Sequence, residues 1–282
     1  MTLTEIRYPD IPVDLLPGGV PVVHTWDPNS RTGYPLFTMM EKGAPFDRKF
    51  WDLLKFEEGS AEFLAIDPNG VMPVVAHKGR IFSHSLYLCE YLDNAMPGPA
   101  LVPHDPATRY RMRHRCRLSD EIAHSVSMNG WNRFMRTALA GKSQAEIEEL
   151  IYRNPSKERR IAWSKALIDG FSEQDLDNAR QNVRAYVDEL DALLAKNTWL
   201  IGEQFTLADI VTFANFYASP ESIPETVAED RVPHFVAWLR RCYARPRLVK
   251  TFELARAVGQ RAFDVAAKLG VEPGSETQGA TR

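Results

Sequence analysis

Strand-like and helix-like patterns occupy separate parts of this chain, and this separation limits the folds that it can adopt. Residues 20–25 are a short apolar run rich in β-branched residues, which predicts a buried strand. Residues 34–42 predict a helix that ends at Gly43, and residues 46–51 predict a second strand. Two strands joined by a helix imply a parallel pair with a right-handed crossover.

A predicted hairpin and a second helix complete this first region. The turn residues 67–70 are followed by two strand-like segments, residues 71–76 and 80–82, which predict an antiparallel pair. Ser83 or Ser85 then begins a helix, because apolar residues recur three apart beyond them. The resulting order, β-α-β-β-β-α, predicts a small mixed sheet flanked by helices.

The rest of the chain shows almost no strand pattern, and its apolar residues recur at helical spacing. Proline and glycine are dense over residues 96–106, which predicts a linker. The fold class is therefore α/β plus all-α, in two domains. The expected divisions are an irregular leader over 1–19, the sheet domain over 20–95, the linker over 96–106, an all-helical domain over 107–271 and a flexible tail over 272–282.

Composition excludes several classes of protein. Hydrophobic residues make up 44% of the chain and charged residues 25%, as in globular proteins, so wholesale disorder is excluded. The 34 Lys and Arg against 37 Asp and Glu give a net charge of -3, which lacks the basic excess of a nucleic-acid binder. No apolar run is long enough for a membrane span, and no signal peptide is recognisable. The three cysteines are too far apart for a disulfide framework or metal site, so a cytoplasmic protein is expected.

Three motifs, in order along the chain, resemble those of the cytosolic glutathione S-transferase superfamily. Residues 67–74 read DPNGVMPV and resemble its N-P-x-G-x-V-P-x-L motif, in which the last proline is cis. Residues 81–92 contain IFSHS followed by CEYL, and residues 199–209 contain WLIG followed by TLAD, which resemble two further family motifs. The resemblance implies a thioredoxin-like N-terminal domain and a helical-bundle C-terminal domain.

Within that superfamily, the chain looks most like the bacterial glutathione-dependent β-aryl etherases. The resemblance lies in EKG at residues 41–43, LKF at residues 54–56 and the stretch over residues 162–171. It implies attack by the glutathione thiolate on an aromatic β-ether of the kind derived from lignin, which releases a phenol and a glutathione thioether. Glutathione is then the co-substrate, no metal takes part, and the chain forms a homodimer or a heterodimer with a paralogue.

Five residues are candidates for holding glutathione, namely Met72, Pro73, Ser85, Lys55 and the His84 discussed below. Ser85, at the start of a predicted helix, offers a hydroxyl and an N–H to the γ-glutamyl carboxylate, although such a serine is often only a helix cap. By the resemblance, a cis Pro73 turns the backbone of Met72 toward the cysteinyl moiety, whereas an ordinary trans proline would only open an edge strand. Lys55 could meet the glycyl carboxylate or remain a solvated surface lysine.

The thiol activator is expected in the loop after the first strand. The resemblance makes Thr32 the first choice and Ser30 the second, because a hydroxyl that donates to sulfur stabilises the thiolate. These residues could instead serve only the turn. His84 stands where the family usually has an acidic residue that helps with the tripeptide's α-amino end. Two alternative functions therefore stay open: a glutathione transferase that acts on another electrophile, or a weakly catalytic subunit of a heterodimer.

Other side chains receive more ordinary interpretations. The acceptor pocket is expected between the domains. Its candidate walls are Phe37, Met40, Met128, Trp131 and Phe134. The adjacent acidic residues Glu57 and Glu58 are interpreted as a solvated face rather than an acid/base pair.

Overall fold

The computed structural model describes residues 19–275, except for the side chains of residues 129 and 131–133. The predicted leader therefore lies outside the described residues except for Gly19, and so do residues 276–282 of the predicted tail. The sheet part contains β1 Val22–Thr25, α1 Ser30–Lys42, β2 Asp47–Phe50, α2 Ala61–Leu64, β3 Val74–His77, β4 Arg80–Phe82 and α3 Ser85–Ala95.

The four strands form one mixed sheet in the order β2-β1-β3-β4. Strand β2 is parallel to β1, with Val23 opposite Arg48, and β3 is antiparallel to β1, with Val23 opposite Val75. Strand β4 returns antiparallel to β3. The predicted parallel pair and the predicted hairpin are both confirmed, and the sheet has the thioredoxin-like arrangement.

Two predicted boundaries were wrong by a few residues. Helix α1 begins at Ser30 rather than at residue 34. Gly33 makes this possible, because a Cβ there would come within 2.9 Å of the backbone carbon of Pro28, so only glycine lets the helix lie this close to its loop. Strand β3 begins at Val74, where pairing with His24 begins, rather than at residue 71.

The segment between the second strand and the turn at residues 67–70 had no clear sequence pattern. It folds into the 3-10 turns Leu53–Lys55 and Glu57–Gly59 and the short helix α2. Side-chain caps begin the first turn and α2: the Asp52 carboxylate accepts from the backbone N–H of Leu54, and the Ser60 hydroxyl accepts from that of Phe63. Phe63 is fully buried against the sheet, so the segment is a packed part of this domain.

The remainder of the described chain is helical, as predicted. Apart from an isolated bridge between Trp199 and Gly202, the residues described after β4 contain no strand pairing. The helices are α4 Pro106–Asn129, α5 Trp131–Ala138, α6 Gln144–Tyr152, α7 Lys157–Ser164, α8 Glu173–Leu194, α9 Leu207–Phe216, α10 Ser219–Ser222, α11 Pro233–Ala244, α12 Pro246–Lys250 and α13 Gly259–Lys268. No helix in this described part is both long and apolar enough to cross a membrane.

The chain after α12 returns to the sheet part, which sequence reasoning did not predict. The fully buried carboxylate of Asp27, in the loop after β1, accepts hydrogen bonds from the backbone N–H groups of residues 256–258. Val258 packs into the same apolar cluster as Trp26 and Trp51. This contact fixes the loop after β1 against the C-terminal segment.

The predicted capping box at the start of α9 is present and is fully buried. Asp209 accepts from the backbone N–H groups of Thr206 and Leu200 and from Nε1 of Trp238, at 2.9 to 3.0 Å. These bonds tie the start of α9 to the preceding loop and to α11.

We expect Asp209→Ala to lower the free energy of unfolding by at least about 3 kcal/mol, because it leaves three buried donors unpaired at about 1 to 3 kcal/mol each. Urea unfolding measures this loss. Asp175→Ala is the matched control, since it removes an exposed capping box at the start of α8 and should cause a much smaller loss. Equal losses in the two variants would contradict the importance of burial.

Candidate active site

A cleft lies where the sheet part meets helices α4 and α7. It brings together three of the predicted site residues, Thr32, Ser30 and Met72. Its lining residues are Trp26, Asn29, Ser30, Arg31, Thr32, Leu53, Met72, Ser127, Arg159 and Trp163.

Hydrogen bonds fix Thr32 in the first turn of α1, directly after the loop that follows β1. Its hydroxyl lies 2.8 Å from the carbonyl oxygen of Asp27 and 2.7 Å from that of Asn29, and its single hydrogen serves this pair of acceptors. The Thr25 hydroxyl in turn donates to the backbone carbonyl of Thr32 at 2.7 Å. Thr32 is only 8% exposed, yet it lines the cleft.

Ser30 is held by a polar network that joins the sheet part to the helical part. Its hydroxyl donates to Oδ1 of Asn215 at 2.7 Å, and its backbone φ of 47° is in the left-handed region. The amide nitrogen of Asn215 donates to the Tyr34 hydroxyl at 2.8 Å and to the carbonyl oxygen of Ser119 at 2.7 Å. Burial raises the pKa of Tyr34 well above its ordinary value, so this phenol stays neutral.

Asn215 was missed by sequence reasoning. It lies on helix α9, which is mostly apolar, and a single amide there carries no recognisable pattern. Only the packing of α9 against α1 places it beside the loop that holds Ser30.

The N-terminus of α1, which is the positive end of its helix dipole, faces this loop. Asn29 precedes the helix and makes no side-chain cap hydrogen bond. The first N–H groups of a helix have no partner within it, and together with the helix dipole they favour an anion. The arrangement suits a thiolate in the cleft beside Ser30 and Thr32.

The candidate glutathione-binding residues lie in three places. The bond between Met72 and Pro73 is cis, as the resemblance implied, and Met72 lines the cleft just before β3. Ser85 is the first residue of α3, and the exposed His84 before it has a φ of 65° and makes no cap hydrogen bond. Lys55 is 71% exposed and forms an ion pair with Asp52 at 3.3 Å.

None of the expected pocket walls with a described side chain lines this cleft. Phe37 is fully buried in the main core, whereas Phe134 lines an adjacent cavity together with Asn29 and Ser30. Met128 lines a neighbouring cavity of about 320 Å³ with Ile161 instead of the cleft, and Met40 lines neither cavity. The side chain of Trp131 lies outside the described residues. Successive residues of a helix point about 100° apart. Helices α4 and α7 therefore direct some residues toward the cleft and others toward the neighbouring cavity.

Glu58 is also not the solvated residue that the sequence suggested. It is 1% exposed, and neither carboxylate oxygen has a hydrogen-bond partner among the described residues. Burial raises the pKa of Glu58 to about 7, while the positive charge of Arg159 acts in the opposite direction. Helices α6 and α7 pack on this segment, with the rings of Phe56 and Trp163 5.4 Å apart, and sequence alone does not reveal that cover.

Comparisons with known proteins agree with this architecture. The family model of the glutathione S-transferase N-terminal domain matches residues 36–100, and that of the C-terminal domain matches residues 145–246. Protein LigF from Sphingobium sp. strain SYK-6 is 33% identical over 83% of this chain and 93% of its own length. The tetrachloro-p-hydroquinone reductive dehalogenase of Sphingobium chlorophenolicum is 23% identical over 78% of this chain and 89% of that protein.

Solved structures give the same result. The crystal structure of the β-etherase LigF from Sphingobium sp. strain SYK-6 matches with a TM-score of 0.79 and 32% identity, covering 84% of this chain and all of that one. A glutathione transferase family member from Pseudomonas fluorescens, solved with two glutathione molecules, has a TM-score of 0.63 at 17% identity and covers 86% of this chain and 97% of that one. The latter likeness shows the fold alone. The chain belongs to the glutathione S-transferase family, and it is a glutathione-dependent transferase.

The buried Glu58 predicts a measurable pH dependence of stability. The folded state holds its proton up to pH about 7, against an ordinary pKa of 4.5, so the unfolded chain binds fewer protons between these values. The stability of the native protein relative to Glu58→Gln should therefore fall as the pH rises from about 4.5 to about 7, by up to about 3 kcal/mol at about 1.4 kcal/mol per pKa unit.

Urea unfolding at several pH values tests this expectation. The exposed Glu62→Gln is the control and should follow the native protein at each pH. If Glu58→Gln and the native protein keep a constant difference across this range, Glu58 does not titrate as its burial requires.

Proposed function

We propose that this transferase cleaves aromatic β-aryl ethers next to a ketone, using the thiolate of glutathione. The observation that carries the proposal is the match to a β-etherase over 84% of the chain at a TM-score of 0.79. Sulfur attacks the carbon that bears the aryloxy group, a phenol departs and a glutathione thioether remains. The enzyme contributes a stabilised thiolate and the alignment of two bound substrates.

The tripeptide has a proposed place along the edge of the sheet. The backbone of Met72 before Pro73 pairs with the cysteinyl moiety, and the γ-glutamyl carboxylate binds at Ser85 where α3 begins. The glycyl end then extends toward the 3-10 turn that contains Lys55. Lys55 is exposed and loosely paired, so it is free to turn toward a carboxylate.

The departure at His84 fits this proposal. The imidazole is exposed at the start of α3 and is outside the set of residues that line the cleft. A change of charge there alters the surroundings of the tripeptide's α-amino end and leaves the reacting atoms untouched. We therefore favour an active enzyme over a weakly catalytic subunit.

Thr32 is the proposed thiol activator, through rotation of its hydroxyl. Its hydrogen now serves the carbonyl oxygens of Asp27 and Asn29. Both of these oxygens also accept backbone hydrogen bonds, from the N–H groups of Asn29 and Gly33 respectively. If the hydroxyl turns to the sulfur, neither carbonyl is left unpaired, so the exchange is inexpensive. Ser30 is the second candidate. If its hydroxyl turns from Asn215 to the sulfur, the Asn215 side-chain oxygen still lies 3.2 Å from the Tyr34 hydroxyl.

The acceptor is proposed to lie between aromatic and apolar side chains. Trp26 and Leu53 come from the sheet part and Trp163 comes from α7. The partly exposed ring of Trp163 suits an aryl group of a β-aryl ether, since aromatic rings associate by stacking and edge contacts.

We further propose that the chain forms a homodimer through the face formed by α3 and α4, in the cytoplasm. Tyr87 and Tyr110 on this face are 75% and 70% exposed, beside a cavity of about 390 Å³ lined by Leu86 and Met112. Exposed aromatic side chains around an apolar cavity favour contact with a second protein surface. All three cysteines are free and buried, which fits a reducing compartment.

The etherase proposal predicts glutathione-dependent release of phenol from a β-aryloxy ketone by the purified chain. Thr32→Val removes the hydroxyl at nearly constant volume and should lower kcat/KM by about 10- to 100-fold, the value of a hydrogen bond to a charged group. It should also raise the pKa of the bound thiol, read from the pH dependence of kcat/KM.

Thr32→Ser keeps the hydroxyl and should retain most of the activity. Full activity in Thr32→Val with a loss in Ser30→Ala would transfer the role to Ser30. Absence of phenol release by the native chain, despite bound glutathione, would contradict the etherase proposal itself.

The dimer proposal predicts that Tyr110→Glu, which places a charge on the α3–α4 face, yields monomers at concentrations where the native chain is dimeric. Sedimentation velocity distinguishes the two states. Tyr152→Glu is a suitable control, because Tyr152 is equally exposed but lies on α6. A monomeric native chain, or a dimer that survives Tyr110→Glu, would count against this face.

A further inference from the structure

The cleft contains two arginines in different electrostatic situations. Arg31 is paired with Asp120, with its Nε 2.7 Å from one carboxylate oxygen and its Nη2 3.0 Å from the other. Among the described residues Arg159 has no such ion pair, and its Nε is buried without a hydrogen-bond partner. A guanidinium with unused donors inside a cleft is suited to bind an anionic oxygen.

Glu58 opposes the charge of Arg159 only when it is ionised, and it occupies none of that residue's donors. The charges of the two residues interact, but both oxygens of Glu58 lack a hydrogen-bond partner among the described residues. Burial lowers the pKa of Arg159, and the charges of Glu58 and Asp67 only partly oppose this effect. Arginine remains protonated in proteins, so the cleft holds a positive charge whose hydrogens remain available.

The position of Arg159 relates it to the leaving group. Thr32 and the start of α1 stabilise the attacking sulfur from the sheet part, whereas Arg159 enters the cleft from α7 in the helical part. In a displacement at carbon, the nucleophile and the leaving group lie on opposite sides of the reacting atom. The ether oxygen therefore departs toward the helical side of the cleft.

We propose that Arg159 is a catalytic residue that stabilises the negative charge on the departing phenol oxygen. This inference rests on the proposed β-ether cleavage. The sulfur–carbon bond forms as the carbon–oxygen bond breaks, and the electron pair of the latter passes to the aryl oxygen. The thiol proton has already left to solvent, the phenolate takes a proton from water, and Arg159 keeps its own. Fixed donors aimed at developing charge are among the largest contributions to catalysis.

A series of β-aryloxy ketones with leaving phenols of different acidity tests this role. For the native enzyme and Arg159→Gln, kcat/KM for the ketone is measured at saturating glutathione and plotted against the pKa of the phenol. We expect a loss of about 100-fold for weakly acidic phenols, typical of removing one such donor, and a much smaller loss for a nitrophenol that needs no help in leaving. The plot for the variant should therefore be steeper.

Two further variants distinguish the loss of the Arg159 charge from a loss of folding. Arg159→Lys keeps the charge and should recover part of the activity with poor leaving groups. Arg160→Gln removes a positive charge from the same helix and should leave the plot unchanged, because Arg160 donates to the carbonyls of Asn154 and Pro155 and does not line the cleft. Thermal melting of each variant shows whether the fold is intact.

The outcomes are distinct. A steeper plot for Arg159→Gln supports the proposal. A raised KM for glutathione with an unchanged slope would assign Arg159 to a carboxylate of the tripeptide and overturn the proposal, as would an equal loss for every phenol or no loss. If the native enzyme released no phenol from any ketone, the etherase proposal would fail first, independently of Arg159.

Discussion

The cleft depends on the Asp27 carboxylate, which is fully buried between the loop after β1 and the returning C-terminal segment. A buried carboxylate destabilises a fold unless hydrogen bonds satisfy it. Asp27 meets this demand with three backbone N–H groups from residues 256–258, at 2.6 to 3.1 Å and about 230 positions further along the chain. The backbone carbonyl of the same residue accepts from the Thr32 hydroxyl, so one position fixes both the loop and the candidate thiol activator.

The hydroxyls beside the proposed thiolate are held in place before any substrate binds. Ser30 donates to Asn215, and Asn215 is anchored by Tyr34 and by the backbone of α4. Such a network limits the loop to small rotations of side chains and keeps its backbone still. A donor that only needs to turn its hydrogen loses little free energy when it meets the sulfur, which is the advantage of a preorganised site.

The sequence predicted the sheet and the helical division because those features depend on local patterns. The apolar runs and turns between residues 20 and 82 determine strand order, and the buried cap at Asp209 follows from the spacing of two residues. The contacts that complete the cleft are not local. Nothing in the local sequence marks Asp27 or Asn215 as part of the site, and Glu58 resembled a solvated residue because Glu57 precedes it. Their environments arise from segments distant in sequence, which no periodicity encodes.

Helices α6 and α7, with the loop between them, dock on the sheet part beside the proposed tripeptide site. They rest on the turns that precede Met72: the Asn154 amide donates to the Gly70 carbonyl at 2.9 Å, and Gly59 lies so close to Arg153 that an added Cβ would come within 3.0 Å. Helix α7 contributes Arg159 and Trp163 to the cleft. One part of the proposed acceptor side therefore belongs to a helix docked on the sheet part, whereas the proposed tripeptide contacts belong to the sheet part itself. Substitutions in α7 can then reshape the acceptor side without disturbing the strands, provided that its docking contacts remain.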